Sequence, residues 1–202
     1  MKVWGLLLVL FAVLPAGAET FLIDPAHSSV EFRIAHHVVG KVRGRFDKFV
    51  GSFDYVPGKP ELWKASATID ASSINTGNET RDEDLRSAKF FDVKRCPTLQ
   101  FLSDKTTDVS GEKSKLHGLL TLHCVTRAVT LDVELGGTAR NPKGEMSAGA
   151  GATTKINRKD FEMTFSKKLD AGGLMVGEEV EISLELEGDD SLNVLKPAAP
   201  QK

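Results

Sequence analysis

The sequence has no surplus of basic charge. Its 26 lysines and arginines are outnumbered by 28 aspartates and glutamates, which gives a formal net charge of −2 at pH 7. A protein that binds nucleic acid through its phosphates needs a concentrated basic patch. The balanced composition supplies none, so we expect no nucleic-acid partner.

Long apolar runs are scarce as well. The longest, Val3–Leu14, is shorter than the ~20 residues that a membrane-spanning helix needs. It is followed by Pro15 and by a stretch of small residues that ends at Ala18, an order typical of a secretory signal peptide. An N-terminal membrane anchor is the alternative. We expect residues 1–18 to be a cleaved signal peptide and the rest to be periplasmic or secreted, without stable membrane insertion.

Motifs for nucleophilic or metal-assisted catalysis are missing. There is no Gly-x-Ser-x-Gly element, and His36 and His37 are adjacent in a predicted strand, which points their side chains to opposite faces. A metal site would need about three converging ligands. We therefore predict no catalytic residue, no metal and no enzyme activity, although histidine occurs at His27, His36, His37, His117 and His123.

Cysteine occurs only twice, at Cys96 and Cys124. The segments Thr98–Leu102 and Leu116–Leu122 are typical of two strands joined by a polar loop. If that hairpin is centred near Ser110, residues whose numbers sum to about 220 face each other, and the two cysteines do. We favour a cross-strand disulfide, as expected in an oxidising compartment; two free buried thiols are the alternative.

Apolar and polar residues alternate with a period of two through most of the chain. In Ser29–Ile34, for example, Val30, Phe32 and Ile34 share one face of the predicted strand. About eight such strands, joined by short loops without a βαβ pattern, indicate an antiparallel barrel or a sandwich. The other strands are predicted at 42–46, 49–55, 62–69, 98–102, 116–123, 129–135, 146–156 and 180–187, the first two separated by a bend near Asp47–Lys48 where the alternation changes phase.

The alternation ends near Asp189. Residues 19–188 are long enough for one domain with a sizeable core. We expect the polar, proline-containing remainder, residues 189–202, to be a disordered tail.

One charged stretch, TGNETRDEDLRSAKFFD, interrupts the strands. Thr80 and Glu83 have the spacing of a capping box, and acids in the first helical turn suit the helix dipole. We therefore predict a short helix whose acids, Asp82 and Asp84 among them, serve only to begin it. Its apolar residues end in Phe90 and Phe91, which we expect to turn inward.

The order of several motifs resembles that of the YceI-like family of exported proteins. The similarity extends over Phe21–Glu187 and is carried by Phe21–Phe32, Val42–Phe46, Ile74–Asp92, Gly118–Arg127, Asn157–Phe161 and Val176–Val180. The sequence departs from the family pattern at Cys96, where an aromatic residue is usual, and at Cys124, where a glycine is usual. Because both members of the predicted pair are cysteine, the departures favour the disulfide as an addition peculiar to this chain.

The resemblance implies an all-β fold with one short α-helix, an extended eight-stranded antiparallel β-barrel that is lipocalin-like. It implies an apolar pore that binds an amphiphilic lipid, such as a polyprenyl phosphate or an isoprenoid quinone, with no other cofactor and no catalysis. We assign the head group to Arg43, Arg45 and Arg81. We assign the pore wall to Phe32, Ile34, Phe46, Phe90, Phe91, Phe101, Leu131, Phe161, Phe165, Met175 and Ile182.

Two other functions are weighed against this one. A barrel hydrolase acting on a lipid-like substrate would depend on His36 or His37, and a stress-related structural domain would have a dry, packed core. An exposed sheet edge would also allow a homodimer, so the expected partners are a small amphiphilic lipid and a second copy of the chain.

Overall fold

The structure is a computed structural model that describes residues 19–37, 39–56, 59–142, 144–167 and 175–190. The predicted signal peptide lies outside these residues. The strands are β1 (Glu19–Ile23), β2 (Ser29–His36), β3 (Gly40–Phe46), β4 (Phe49–Tyr55), β5 (Lys64–Asp70), β6 (Ile74–Asn75), β7 (Thr98–Ser110), β8 (Lys113–Leu122), β9 (Val125–Arg140), β10 (Met146–Asn157) and β11 (Val176–Asp190). The helix α1 spans Glu79–Arg86, and 3₁₀ turns occupy Pro60–Leu62, Ala71–Ser73 and Arg158–Phe161.

Within the described ranges, eight strands close an antiparallel barrel. Their order is β1, β4, β5, β7, β8, β9, β10 and β11, and β11 pairs with β1 to complete the ring. The predicted fold is confirmed. The remaining strands extend the sheet from β11 through β2 and β3 to the short β6.

β11 is long enough to serve two neighbours along one edge. Its end pairs with β1, as in Ile23 opposite Gly188, and its beginning pairs with β2, as in Phe32 opposite Ile182. β1 and β2 therefore follow one another along the same edge. The strand continues to Asp190, so the first two residues of the predicted tail belong to it, and residues 191–202 lie outside the described residues.

The predicted bend lies between β3 and β4. The backbone amide of Asp47 donates to the carbonyl of Ser73 at 3.1 Å, and that of Lys48 donates to the Ser73 hydroxyl at 3.0 Å. Phe46 and Phe49 are both buried although three positions separate them. The change of phase thus keeps large apolar side chains on the inner face on both sides of the bend.

The two cysteines are joined. The disulfide connects Cys96 to Cys124 with 5.4 Å between the Cα atoms, which confirms the predicted pairing and excludes the alternative of two free thiols. Nearby, Phe101 lies opposite Leu120, so paired numbers sum to 221, one more than the predicted 220. β8 and β9 are joined through His123 and Cys124, which have φ values of 53° and 60°, as a two-residue hairpin of the type I′ class requires.

The predicted capping box is wrong. The N-cap of α1 is Asn78, whose side-chain oxygen accepts from the amide of Arg81 at 3.0 Å. Thr80 and Glu83 therefore lie inside the helix. In the part of the chain that the structure describes, no helix is both long and apolar enough to cross a bilayer.

Candidate functional site

The inward side chains of the barrel surround a cavity of about 240 Å³. Along β8 its wall runs from Ser114 through Leu116 and Leu120 to Leu122, which corresponds to ~26 Å of extended strand. Packed interiors have few voids larger than one water, and a void of roughly 10–15 Å³ is enough to hold one water. The cavity argues against the alternative of a dry, packed core.

The buried apolar residues form three clusters along the barrel. The cluster beside α1 and the last 3₁₀ turn includes Phe46, Leu122 and Phe161. The cluster at the opposite end is centred on Phe21 and Phe53. The third lies in between and consists of Leu116, Leu131 and Ala152.

Two glycines make room for aromatic rings in the cavity wall. A Cβ atom on Gly44 would lie 2.4 Å from the Phe32 ring, and one on Gly118 would lie 2.7 Å from the Phe101 ring. Both rings line the cavity. A side chain at either glycine would push a ring into the open space or force the strands apart.

The structure places eight of the eleven side chains assigned to the pore wall around the cavity. Phe161 instead lies at 1% exposure in the cluster beside α1, and the Phe165 ring packs on the Phe90 ring at 5.2 Å. The amide of Met175 donates to the carbonyl of Lys167 at 2.9 Å. Phe161, Phe165 and Met175 are therefore not among the described residues of the wall. Those that are include Phe32, Ile34, Phe46, Phe90, Phe91, Phe101, Leu131 and Ile182.

Phe90 and Phe91 are positioned by the turn that follows α1. The amide of Phe91 donates to the carbonyl of Leu85 at 3.0 Å, and that of Phe90 donates to the carbonyl of Ser87 at 3.1 Å. The Phe91 ring meets the Phe46 ring edge-on at 5.6 Å. The turn thereby directs two consecutive aromatic side chains into the same end of the cavity.

The acids of α1 differ from the prediction. Asp82 is 3% exposed and accepts hydrogen bonds from both the amide and the hydroxyl of Thr76, whereas Asp84 is partly exposed and pairs with Lys89 at 3.1 Å. The expectation that both serve only to begin the helix is wrong for Asp82. Its carboxylate ties α1 to the segment that enters it.

The arginines assigned to a head group lie away from the cavity wall that the structure describes. Arg43 borders a polar groove on the outer surface, and Arg45 pairs with Asp47 at 2.6 Å. Arg81 donates to the hydroxyl and the carbonyl of Thr76 at 2.8 and 3.1 Å. Each of the three therefore has an outer or structural setting.

The outer groove that Arg43 borders is dominated by one carboxylate. Glu181 accepts hydrogen bonds from Lys41 and Arg33, both at 2.8 Å. These two cations lower the pKa of Glu181 to about 2. The Arg43 side of the molecule thus presents an exposed ion-pair network around Glu181.

Arg158 is a residue of the cavity wall that the sequence interpretation missed. It is 2% exposed, and its guanidinium donates to the carbonyls of Gly177 at 2.7 Å, Val176 at 3.3 Å and Met163. Burial lowers the pKa of Arg158, and the charge of Glu178 opposes this shift. The sequence does contain a signal for Arg158. Thr154 and Ile156 face the cavity, and Arg158 is the next position of the same alternation.

The paired histidines are not arranged as predicted. β2 ends at His36, and His37 has a φ of 51°, so the two rings stack at 3.9 Å and do not point to opposite faces. The pKa of His36 is lowered by burial, and further by His37 and Arg81. Among the described residues, no group of three potential metal ligands comes together.

Comparison with known sequences gives a match over nearly the whole barrel. A family model described as the YceI-like domain matches residues 21–188. A UPF0312 protein of Staphylococcus aureus (strain MSSA476) is 38% identical over 168 residues, which are 83% of this chain and 95% of the relative.

Solved structures share the fold. The Campylobacter jejuni YCEI protein is 30% identical, with a TM-score of 0.67 over 78% of this chain and 90% of that one. BcnA of Burkholderia cenocepacia is 24% identical, with a TM-score of 0.72 over 82% and 98%. A polyisoprenoid binding domain from Saccharophagus degradans is 16% identical, with a TM-score of 0.58 over 86% and 99%.

Proposed function

Because this protein belongs to the YceI-like family, we propose that it is an exported carrier that holds a polyisoprenoid or similar long-chain amphiphilic lipid in its barrel. The observation that carries the proposal is the cavity, whose wall is apolar along ~20 Å of β8, from Leu116 to Leu122. The fold shared with a domain named for polyisoprenoid binding supports the choice of ligand class.

Burial of an apolar chain supplies the driving force. Each CH₂ group removed from water contributes ~0.8 kcal/mol, so ten carbons contribute ~8 kcal/mol before the costs of association. In an aqueous compartment such a lipid would otherwise stay in a membrane or micelle. A polyprenyl phosphate or an isoprenoid quinone has a chain of this kind, and the proposal requires no further cofactor.

The proposal includes export and a role without catalysis. The signal-like residues 1–18 and the Cys96–Cys124 disulfide both suit an oxidising compartment such as the periplasm. The hydrolase alternative has no support from the histidines, because neither His36 nor His37 is among the described residues of the wall. Homodimerisation stays a prediction, which light scattering of the purified protein would test.

Extraction of lipid from vesicles tests the carrier role. Protein freed of lipid is incubated with vesicles that contain a polyprenyl phosphate, the vesicles are sedimented, and the lipid left in the supernatant is quantified. We expect the wild type to hold close to one lipid per chain. A supernatant with no more lipid than a protein-free sample contradicts the proposal.

A matched pair of variants ties the extraction to the cavity. Ala152 is buried in the wall, whereas Ala128 is exposed on the outer face of β9. Ala152→Phe should fill the cavity and abolish extraction, while Ala128→Phe should extract like the wild type. Thermal unfolding of both variants verifies that they are folded. Equal extraction by the two would show that the lipid binds elsewhere.

A further inference from the structure

We propose that the cavity selects an amphiphile with an anionic head, and that this head lies against Arg158, with the apolar chain extending toward Trp63. This inference rests on the proposed function and adds to it a head-group class and a direction. The chemistry that Arg158 would recognise is a phosphate or carboxylate, since a guanidinium presents donors in a planar fork that matches both.

Arg158 is a buried cation that makes no ion pair in the described part of the chain; the carboxylate of Glu178, whose charge acts on it, pairs with Lys159. Its three hydrogen bonds go to neutral backbone carbonyls, those of Met163, Val176 and Gly177. A guanidinium has five N–H donors, so the described contacts leave two for another acceptor. Burying an unpaired charge is costly, and an anion at the adjoining wall would offset that cost.

The other buried polar side chains of the wall do not compete for an anion. The Thr154 hydroxyl donates to the carbonyl of Thr130 at 2.8 Å. The Ser114 hydroxyl has no partner among the described residues, but it is uncharged and lies at the start of β8. Four charged residues border the cavity, Glu31, Asp54, Lys64 and Arg158, and of these only Arg158 is buried. Since Arg158 follows the end of β10 beside the α1 cluster, the buried charge of the described wall lies at one end of an apolar tube.

A purely structural role is the rival interpretation. The same three carbonyls belong to the last 3₁₀ turn and its exit and to the beginning of β11, so Arg158 also fastens these segments together. If Arg158 only holds these segments together, its replacement should change the affinity for every ligand equally. A head-group contact would affect anionic ligands more than neutral ones of the same chain length.

Trp63 provides a reporter at the far end. It is 8% exposed, lines the cavity and donates from Nε1 to the carbonyl of Val56 at 3.2 Å. In the full chain carrying Trp4→Phe, it is the only tryptophan. Its fluorescence therefore follows occupancy of the end opposite to Arg158.

The experiment titrates geranylgeranyl phosphate and geranylgeraniol, which share one apolar chain, into delipidated Trp4→Phe protein. We expect the phosphate to bind about tenfold tighter or more, the size of a charge-assisted hydrogen bond. Arg158→Gln should reduce this preference below about threefold, because it weakens binding of the phosphate more than binding of the alcohol. Arg43→Gln, the outer-surface control, should keep the preference.

Three results would overturn the inference: a wild type without preference for the phosphate, an unchanged preference in Arg158→Gln, or an equal loss of both ligands in a folded Arg158→Gln. Failure of the proposed function gives a different result, namely no binding of either ligand by the wild type. Inorganic phosphate in hundredfold excess should leave the bound isoprenyl phosphate in place. Displacement at that excess would mark a plain phosphate site and overturn the inference as well.

The length of the isoprenyl chain tests the direction in which the lipid lies, without any substitution at Arg158. With the head held at that end, geranyl phosphate should bind, as measured by calorimetry, without altering Trp63 fluorescence, whereas geranylgeranyl phosphate should alter it. An equal change with both lengths would place the head near Trp63 and overturn the assignment. This comparison uses protein with the wild-type cavity and stays decisive if Arg158→Gln does not fold.

Discussion

Two buried serines on neighbouring strands differ in their hydrogen bonding. Ser103 of β7 accepts from the amide of Ala65 at 2.8 Å, while the hydroxyl of Ser114 on β8 has no partner among the described residues. Removing an unpaired buried hydroxyl is neutral or favourable, whereas removing a paired one leaves its partner unsatisfied. In delipidated protein we expect Ser114→Ala to keep or raise the free energy of unfolding by up to about 1 kcal/mol.

The matched variant Ser103→Ala should lower the free energy of unfolding by about 1–2 kcal/mol, because the Ala65 amide loses its acceptor. Urea unfolding measures both values. A larger loss for Ser114→Ala than for Ser103→Ala would mean that the Ser114 hydroxyl makes a bond in solution.

The alternation of inward and outward side chains along a strand predicts which residues face the cavity. This alternation must be continued to the end of each strand and into the turn that follows. In β3, Gly44 and Phe46 face inward, so the same rule places Arg43 and Arg45 outside, where the structure has them. Continued one residue past the end of β10, the same alternation points to Arg158. The assignment of the head group to outer arginines followed charge alone and ignored the direction of the side chains.

At the scale of elements, α1 contains two acids with opposite roles. Asp82 is buried and accepts from Thr76, while Asp84 is partly exposed and pairs with Lys89. Asp82→Ala leaves the Thr76 amide without its acceptor and should lower the free energy of unfolding by about 1–3 kcal/mol. Asp84→Ala should change it by less than about 0.5 kcal/mol.

Thermal and urea unfolding of the two variants, side by side, test this difference. Equal stabilities would contradict the role assigned to Asp82. The sequence could not reveal that role, because a local rule for helix starts is satisfied by Thr80 and Glu83 as well as by Asn78. In the structure Asn78 caps the helix, and Asp82 accepts from the hydroxyl of Thr76, six positions before it in the sequence.

The turn after α1 supplies Phe90 and Phe91 to the cavity wall. Replacing both with serine removes two large apolar surfaces from one end of the cavity. We expect the double variant to retain polyisoprenoid about tenfold less well than the wild type, as measured by the rate of lipid loss to acceptor vesicles.

The control for this variant is Leu102→Ser with Leu119→Ser. These two leucines lie opposite each other on the outer face of the barrel and are 62% and 50% exposed. Replacing them with serine removes a similar amount of apolar surface, but outside the cavity. This double variant should therefore release lipid at the wild-type rate. Equal release by both double variants would argue against an inward role for the phenylalanines.

At the scale of the whole molecule, the disulfide restrains the chain around β7 and β8. It links residues 28 positions apart, which corresponds to roughly 3–4 kcal/mol in the chain-entropy description. The Cys96→Ala, Cys124→Ala double variant should lose about this much stability in urea unfolding, and reduced wild type should behave alike. Unchanged stability would show that the bond restrains little of the unfolded chain.

Strands β2–β5 and β7–β11 and their antiparallel pairing could be predicted from the alternation of apolar and polar residues, whereas the short β1 and β6 show no such pattern. The way the ring closes could not be predicted. β11 divides its edge between β1 and β2, whose paired residues are 140 or more positions away in the sequence, and no local pattern encodes such a choice. The cavity likewise arises from how rings such as Phe32 and Phe101 lie over Gly44 and Gly118.

Native mass spectrometry of gently purified protein tests the central claim most directly. We expect a population of the wild type to carry one long-chain amphiphile with an anionic head, and Ala152→Phe purified in the same way to carry none. Wild-type protein that carries no lipid, and takes up none when incubated with a polyprenyl phosphate, would contradict it.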